Sequence, residues 1–413
     1  MTELKLERRL QATRGFYRNF VKEFYRDAHK AKAEGTPVAW VASTFPVEIL
    51  LAMDVFPVWP ENYASLCAAK RVSVKLCELA ESKGFSKDIC SYAKCVVGSL
   101  FERGDLPERG MPKPDFLVAS TCACDTHFKW FQFISRHLKV PLFLLDVPYN
   151  ILGADSEHLE RTHIEFYISQ LEELIDSLEK QTNVVLEKDK LREKIMLSDR
   201  TSQLWEEIQK YRKTTPTPMD ARDAFSAVFF MLSIPGTQMA VNFYEKLCNE
   251  VKERAENKFG VLENEIYRLV WDNLPPWFDL RFFNYLNSLG AVVVAETFSH
   301  VWTGRLDSSK PLESLAKKYL SNFANCSIDR KINLIQNLAE EFEVDGIILP
   351  TNWGCRMMSI GETIVKETVY SKLGVPSLIL DIDSSDWRSY NETQVKKNVE
   401  IFLQVLSGKK QGG

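Results

Sequence analysis

The segment PKPDFLVASTCACDTHFKWF (residues 112–131) places two cysteines directly after a short apolar run. The run DFLVAS (115–120) is continuously apolar, which is typical of a parallel strand that helices cover on both faces. In open α/β sheets, ligands bind outside the carboxyl ends of such strands. Cys122 and Cys124 therefore stand where this kind of fold places its chemistry.

The same pattern recurs along the chain and predicts a parallel sheet in each half. Helical stretches separate the apolar runs, and several end in Gly or Lys with a short turn, as in SKLGVP (371–376). The other predicted strands are PVAWVAS (37–43), PLFLLD (141–146), AVVVAE (291–296), DGIILP (345–350) and PSLILD (376–381).

A long helical region separates the two sets of strands. Residues 157–211 show helical periodicity without strands, and TTPTPMDARD (214–223) interrupts the pattern with two prolines. We therefore predict an α/β fold of two Rossmann-like domains with mostly parallel sheets, joined by long helices, over residues 1–213 and 214–413. The cleft between the domains is the predicted ligand site.

Composition excludes several classes of protein. The chain has 413 residues, of which 45% are hydrophobic and 26% charged, with a net charge of −4. Lys and Arg are too dispersed to predict a nucleic-acid surface. No apolar run approaches the ~20 residues that span a membrane, and the charged N-terminus lacks the apolar core of a signal peptide. We expect a cytoplasmic protein that binds neither nucleic acid nor membrane.

The nine cysteines suggest a metal site more than disulfides. An odd number of cysteines in a reducing compartment leaves metal binding, catalysis or burial. Cys90 begins a helical pattern, Cys122 and Cys124 follow a strand, and Cys355 follows GIILPTNWG (346–354). Zinc-ribbon CxxC pairs are absent from the sequence. Thiolates from three distant segments suit an iron–sulfur cluster better than a structural zinc, and simple burial is the alternative.

The other cysteines have simpler interpretations. Cys77 and Cys248 lie on helical patterns and are predicted to pack in the core. Cys95 is five residues after Cys90, so it faces another side of the helix and is also expected to pack. Cys122 is interpreted as a packing residue or a neighbour of a ligand. The roles of Cys67 and Cys326 stay open.

Three further residues are candidates for catalysis. Glu48 begins a helix after Pro46 and is either a cleft residue or a carboxylate at a helix N-terminus. His127, three residues after Cys124, either donates a proton at the site or packs on Trp130. His300 follows a strand end, where a lone histidine is either structural or a proton donor.

The chain resembles the benzoyl-CoA reductase and 2-hydroxyacyl-CoA dehydratase family, and within it the benzoyl-CoA reductase B-type subunits. The resemblance runs nearly end to end and rests on the shared order and spacing of several segments. These segments include STFPVEILLAMDVFPVWPEN (43–62), DICSYAKCVVG (88–98), the segment at 112–131, VDGIILPTNWGCRMMS (344–359) and SLILDIDSSDWRSY (377–390).

This resemblance implies a cofactor and a reaction. Family members bind a [4Fe–4S] cluster through three cysteines per subunit, and the matching positions here are Cys90, Cys124 and Cys355. The cluster would occupy the interdomain cleft. The implied activity is radical chemistry on an acyl-CoA: reduction of an aromatic acyl-CoA or dehydration of an (R)-2-hydroxyacyl-CoA.

The resemblance also implies partners, and two alternatives stay open. The sequence contains no GxxxxGK[ST] or GxGxxG loop, so we expect that the chain does not hydrolyse ATP itself. The resemblance implies that a separate ATP-dependent iron–sulfur activator supplies electrons and that a homologous second subunit completes a heterodimer. One alternative is an ATP-dependent reductase of small molecules with a double-cubane [8Fe–9S] cluster. The other is a non-catalytic subunit that relays electrons or completes the interface.

Overall fold

The structure is a computed structural model that describes residues 9–122, 124–149, 157–325 and 327–412. Within these ranges the chain forms two parallel four-stranded sheets, one in each half. Cys326 lies outside the described residues, so its role stays open.

The first sheet has the strand order β2–β1–β3–β4. All its pairs are parallel, and Leu117 of β3 lies between Trp40 and Leu142 of its neighbours. Parallel neighbours require crossover connections, which the helices provide. The strands are β1 (Val38–Val41), β2 (Phe56–Val58), β3 (Phe116–Ser120) and β4 (Leu142–Leu145).

The second sheet has the order β6–β5–β7–β8 and is also entirely parallel. Ile348 of β7 lies between Trp271 of β5 and Leu378 of β8. The strands are β5 (Tyr267–Trp271), β6 (Ala291–Glu296), β7 (Gly346–Thr351) and β8 (Ser377–Asp381).

The helices of the first half surround the first sheet and then leave it. A π-helical turn at Tyr17–Val21 precedes the first α-helix. The helices are α1 (Lys22–Ala33), α2 (Val47–Ala52), α3 (Pro60–Ala69), α4 (Ser73–Ser82), α5 (Ser91–Phe101), α6 (Asp125–Leu138), α7 (Glu157–Thr182) and α8 (Lys188–Arg212).

The helices of the second half include two that precede its sheet. Single 3₁₀ turns lie at Trp277–Asp279 and Trp387–Ser389. The α-helices are α9 (Ala221–Ser233), α10 (Gln238–Glu256), α11 (Phe282–Ser288), α12 (Thr297–His300), α13 (Pro311–Leu320), α14 (Ile328–Glu341), α15 (Arg356–Ser359), α16 (Glu362–Leu373) and α17 (Glu392–Gly412).

Helix α9 joins the cores of the two halves. Phe229 and Phe230 pack in the core that surrounds the first sheet, whereas Phe225 packs with Trp271 and Phe283 in the core of the second. Apolar residues three to five positions apart cover a broad face of a helix, so α9 can contact both cores at once. The two sheets are thereby held in one packed unit.

The predicted fold class is confirmed. All six predicted strands are present, and the helical region from 157 to 211 forms α7 and α8. Two strands, β2 and β5, were not predicted. The boundary predicted at 213/214 falls after the end of α8 and stays a prediction.

Candidate active site

A cavity of about 580 Å³ lies where segments from both halves of the chain meet. Thr44 follows strand β1, and Asn352 follows β7, so the carboxyl ends of strands in both sheets contribute to it. We call it the interdomain cavity. Its position agrees with the general rule for ligand sites in open α/β sheets.

Two helices supply much of the wall. Glu61, Ser65 and Ala69 form a stripe along α3, and Phe225 and Phe229 lie on the facing side of α9. Residues four apart on a helix share a face, which explains the regular spacing. Apolar residues make up much of the wall, and its polar groups come from several elements, among them Glu61 on α3 and Ser226 on α9.

The three predicted cluster ligands all line this cavity. Each one is the N-cap residue of a helix: Cys90 for α5, Cys124 for α6 and Cys355 for α15. Helix N-termini carry unpaired N–H groups and a partial positive charge, which favour a thiolate. A cysteine thus stands at a helix N-terminus at three separate points of the chain.

Backbone N–H groups reinforce this arrangement. The Sγ of Cys124 accepts a hydrogen bond from the N–H of His127 at 3.3 Å. The N–H groups of Ala93 and Met358 approach the thiols of Cys90 and Cys355 without forming a capping hydrogen bond, and they act to lower the pKa of these thiols. In each case the N–H belongs to the third residue after the cysteine.

Burial works in the opposite direction. It raises the pKa of Cys355 to about 12, and it raises the pKa of Cys90 well above its usual value. Cys124 adds to both effects, since a neighbouring thiolate disfavours a second negative charge. Three thiolates can share this space when a positively charged group compensates them.

Gly354 permits the two domains to meet at this point. Its φ is +72°, and a Cβ there would lie 2.6 Å from the carbonyl carbon of Ile89 and 2.8 Å from the N of Cys90. No side chain fits such a space, and the left-handed backbone conformation also favours glycine. Gly354 thus lets the loop that carries Cys355 approach the segment that carries Cys90.

The thiols are not arranged around a single ion. Among the residues that the structure describes, no group of three His, Cys, Asp or Glu side chains is close enough to hold one metal ion. In a [4Fe–4S] cluster each cysteine binds a different iron, so its ligands stand further apart than those of one ion. Thiols are the donors that an iron–sulfur cluster requires, and all three line one cavity.

The remaining described cysteines lie elsewhere. Cys67, Cys77, Cys95 and Cys248 are buried and none of them lines the interdomain cavity. Cys95 interacts with Cys67 inside the core, and the Sγ of Cys77 lies 3.6 Å from the carbonyl oxygen of Ser91. Cys122 is also buried and does not line the cavity.

His127 and Glu61 form a pair at the cavity wall. The Nε2 of His127 forms a hydrogen bond with Oε1 of Glu61, which also accepts the N–H of Ser43 at 2.8 Å. Burial acts to raise the pKa of Glu61, but the interactions with His127 and Ser43 together hold it below its usual value. The ring of His127 also packs on Trp130 at 5.8 Å, as one of the two interpretations of the sequence expected, and proton donation by His127 stays a prediction.

Several buried polar atoms of the wall have no hydrogen-bond partner in the described part of the chain. They are Oε2 of Glu61, Nε1 of Trp130, Nε1 of Trp302 and Nδ2 of Asn352. Buried polar groups are normally hydrogen-bonded in native proteins. Four such atoms around one cavity are available to form hydrogen bonds with a bound molecule or with water.

Tyr92 and Trp277 close another part of the wall. The hydroxyl of Tyr92 accepts hydrogen bonds from Ser65 Oγ at 3.0 Å and from the indole N–H of Trp277. Both Tyr92 and Trp277 line the cavity. Their rings offer an apolar surface to a bound molecule.

The other two candidate residues lie outside the cavity lining. Glu48 is fully buried and hydrogen-bonded to Ser198 at 2.7 Å, Lys318 at 3.0 Å and Tyr319 at 3.1 Å. His300 Nδ1 lies 2.7 Å from the carbonyl oxygen of Glu296, and burial lowers its pKa. Both placements agree with the structural alternative for these residues.

The fold and this cavity define a class: a two-domain α/β protein that brings cysteines from distant segments to one buried site. The family model for 2-hydroxyglutaryl-CoA dehydratase, D-component, matches residues 42–406. The chain belongs to this family. The resemblance found in the sequence is thereby confirmed.

Three relatives illustrate its range. The (R)-2-hydroxyisocaproyl-CoA dehydratase alpha subunit of Clostridioides difficile is 28% identical, over 95% of both chains. The (R)-phenyllactyl-CoA dehydratase alpha subunit of Clostridium sporogenes is 26% identical over the full length of both. The B-type subunit of benzoyl-CoA reductase from Thauera aromatica is 28% identical over 88% of this chain and 87% of its own.

Among the described residues, no helix is long and apolar enough to cross a membrane.

Proposed function

We propose that this chain is the cluster-bearing subunit of a radical acyl-CoA enzyme. Cys90, Cys124 and Cys355 would hold one [4Fe–4S] cluster, and the interdomain cavity would bind the acyl end of a CoA thioester. The observation that carries the proposal is that these three cysteines, each at a helix N-terminus, line one buried cavity. When bound, such a cluster supplies one-electron transfer at low potential.

The chain's own residues would position the substrate and exclude water. Trp277, Phe225 and Phe229 present apolar surface to the acyl group. The N–H groups of Trp130, Trp302 and Asn352 that lack partners in the described residues would donate hydrogen bonds to the thioester or to cluster sulfur. A dry, partly polar pocket of this kind strengthens each such interaction.

His127, held by Glu61, would donate or accept a proton at the site. Glu61 anchors the ring of His127 through Oε1, while its Oε2 remains without a partner in the described residues. A carboxylate that fixes an imidazole in this way sets the ring's orientation and stabilises its protonated form. Glu61 was not among the residues selected from the sequence, because its role arises from the contact with His127, which is 66 positions away and leaves no local signal.

The same proposal covers dehydration of a 2-hydroxyacyl-CoA and reduction of an aromatic acyl-CoA. A dehydratase subunit and a benzoyl-CoA reductase subunit are each 28% identical to this chain. Since the relatives are named as subunits, we also propose a second subunit, together with a separate ATP-dependent activator. The double-cubane alternative receives less support, because Cys67, Cys95 and Cys122 do not line the cavity.

Cysteine substitutions test the proposal. We expect anaerobically purified protein to contain about four iron and four sulfide per chain, the content of one cubane cluster. Cys124→Ser and Cys355→Ser should lose most of the iron, whereas the control Cys248→Ser, in α10, should keep it. Iron that survives both substitutions would contradict the ligand assignment.

Activity then separates the two reactions. The chain, combined with its partner subunit and an activator, would be assayed with benzoyl-CoA and with (R)-2-hydroxyacyl-CoAs. Consumption of one class and not the other assigns the reaction. An intact cluster with no turnover of either class would favour the electron-relay alternative.

A further inference from the structure

We propose that the rim formed by Arg18, Lys70 and Arg71 binds the phosphate groups of the substrate's coenzyme A. We call these three residues the cationic rim: Arg18 lines the cavity, whereas Lys70 and Arg71 lie outside its lining and directly follow Ala69, the last lining residue of α3. The inference rests on the proposed function, because it assumes that the interdomain cavity takes a CoA thioester. The inference adds a location for the charged half of that molecule.

Helix α3 connects the cluster end of the cavity with this rim. Glu61, which contacts His127, stands in its first turn, and Ala69 lines the cavity in its last. At 1.5 Å per residue, the eight residue steps from Glu61 to Ala69 span about 12 Å. A chain-like substrate that lies along α3 would have its reactive end near the cysteines and its other end near Lys70 and Arg71.

Aromatic rings hold two of the cations in place. The Nζ of Lys70 lies 3.8 Å from the centre of the Tyr17 ring, and Tyr17 itself lines the cavity. The guanidinium of Arg71 lies 5.4 Å from the ring of Phe278 and 5.1 Å from that of Trp387. Cation–π contacts orient these side chains without neutralising them.

In the described part of the chain these cations form no ion pair within 4.0 Å, although Arg71 interacts electrostatically with Glu392 at longer range. Glu108 accepts a hydrogen bond from the Tyr17 hydroxyl, Asp279 pairs with Arg281 at 3.2 Å, and Glu392 pairs with Lys396 at 2.6 Å. Each nearby carboxylate thus has a partner of its own. The exposed charges of the cationic rim remain available.

The chemistry of the rim matches a diphosphate better than an apolar partner. Arg presents a planar fork of donors to phosphate oxygens, and Lys adds a compact point charge. Arg18 lines the cavity from the N-terminal π-helical turn, so the cations approach from two elements. Arg9, by contrast, interacts with Asp223 at 3.5 Å and is already occupied.

The test compares ligands with and without phosphate. The anaerobically purified chain, with its partner subunit, would be titrated calorimetrically with S-methyl-coenzyme A and with S-methyl-pantetheine. We expect the double variant Lys70→Ala/Arg71→Ala to weaken binding of S-methyl-coenzyme A about 10- to 100-fold, as for lost hydrogen bonds to charged groups. Binding of S-methyl-pantetheine should be unchanged.

A matched control removes two lysines elsewhere. Lys366 and Lys372 are exposed on α16, so Lys366→Ala/Lys372→Ala makes the same loss of charge away from the cavity. This control should bind both ligands like the wild type. Weaker binding of S-methyl-coenzyme A to the control as well would show a general charge effect and overturn the inference.

Failure of this inference can be distinguished from failure of the proposed function. Two results together would place the phosphates elsewhere and leave the proposed function intact. The rim variant, Lys70→Ala/Arg71→Ala, would bind S-methyl-coenzyme A like the wild type, and Ser65→Trp, which fills the cavity, would no longer bind it. Equal loss of both ligands in the rim variant would indicate distortion of α3 and overturn the inference. A wild type that binds neither ligand would contradict both proposals.

Discussion

Glu48 and Glu61 show how identical side chains acquire different roles through their neighbours. Glu61 stands at the cavity with one carboxylate oxygen lacking a partner in the described residues. Glu48 is enclosed by Lys318, Ser198 and Tyr319, which use both of its oxygens. Glu48, with both oxygens bonded and outside the cavity lining, serves stability, whereas Glu61 keeps one oxygen available at the cavity.

We predict that Glu48→Gln destabilises the fold and leaves the iron content unchanged. The substitution keeps the shape of the side chain but leaves the buried ammonium of Lys318 without a compensating charge. Breaking one side of a buried ion pair costs about 3–5 kcal/mol. Chemical denaturation gives the free energy of unfolding, and an iron assay of the same sample checks the cluster.

The pH dependence provides a control for this prediction. Burial acts to raise the pKa of Glu48, but Lys318 and the hydrogen bonds hold it below its ordinary value of 4.5. The ion pair therefore stabilises the fold above that pH, and the contribution is lost as pH falls through the folded-state pKa. The difference in stability between wild type and Glu48→Gln should shrink on acidification. A constant difference would contradict the electrostatic explanation.

The sequence could predict some site residues and not others, for physical reasons. The sequence could predict Cys90, Cys124 and Cys355, because thiols after strands and at helix starts are rare and chemically specific. The sequence could also predict His127, because of its spacing from Cys124. Glu61 and Tyr92 were not selected, because their importance arises from contacts with residues 66 and 185 positions away, His127 and Trp277.

At the scale of elements, the two strands that the sequence did not predict, β5 and β2, are those in which a charged residue or a proline interrupts the apolar run. Strand β5 contains Arg268, which suggests a surface position, yet the side chain is buried. Its guanidinium donates to the carbonyl oxygen of Phe342 at 3.0 Å and pairs with Glu265. Strand β2 has three residues including Pro57 and lies at a sheet edge, where proline is tolerated.

Helix α8 is fastened to the second sheet by a buried ion pair. Arg212, its last residue, donates to the two carboxylate oxygens of Glu296 at 2.6 and 3.0 Å, and both side chains are 0% exposed. We predict that Glu296→Gln lowers the free energy of unfolding by about 3–5 kcal/mol, because the arginine stays buried without its counter-charge. Thermal and denaturant unfolding measure the loss.

A neighbouring pair serves as the control for that prediction. Lys213 pairs with Glu341 at 2.7 Å, but the two side chains are 37% and 53% exposed. Glu341→Gln should change the stability by less than about 1 kcal/mol, as is usual for surface ion pairs. Equal effects of the two substitutions would show that burial does not govern the strength of these contacts.

At the scale of the whole molecule, the candidate site exists only where the two halves of the chain touch. Cys90 and Cys124 come from the first half and Cys355 from the second, so a cluster bound by all three would link the domains. Gly354 controls how closely the halves approach at this point. A Cβ there would overlap the backbone of Ile89 and Cys90, which cannot move away as a flexible side chain can.

We therefore predict that Gly354→Ala separates Cys355 from the other two thiols and loses most of the iron. The matched control is Gly374→Ala: its φ is also left-handed, at +64° compared with +72°, but the nearest atom to the added Cβ is the Nζ of Lys409 at 3.6 Å. The control has the strain of a left-handed residue, about 1–2 kcal/mol, without the backbone clash. Iron content and unfolding temperature would be measured for both. If the two variants lose iron equally, backbone strain explains the result, and close approach of the domains is not what assembles the site.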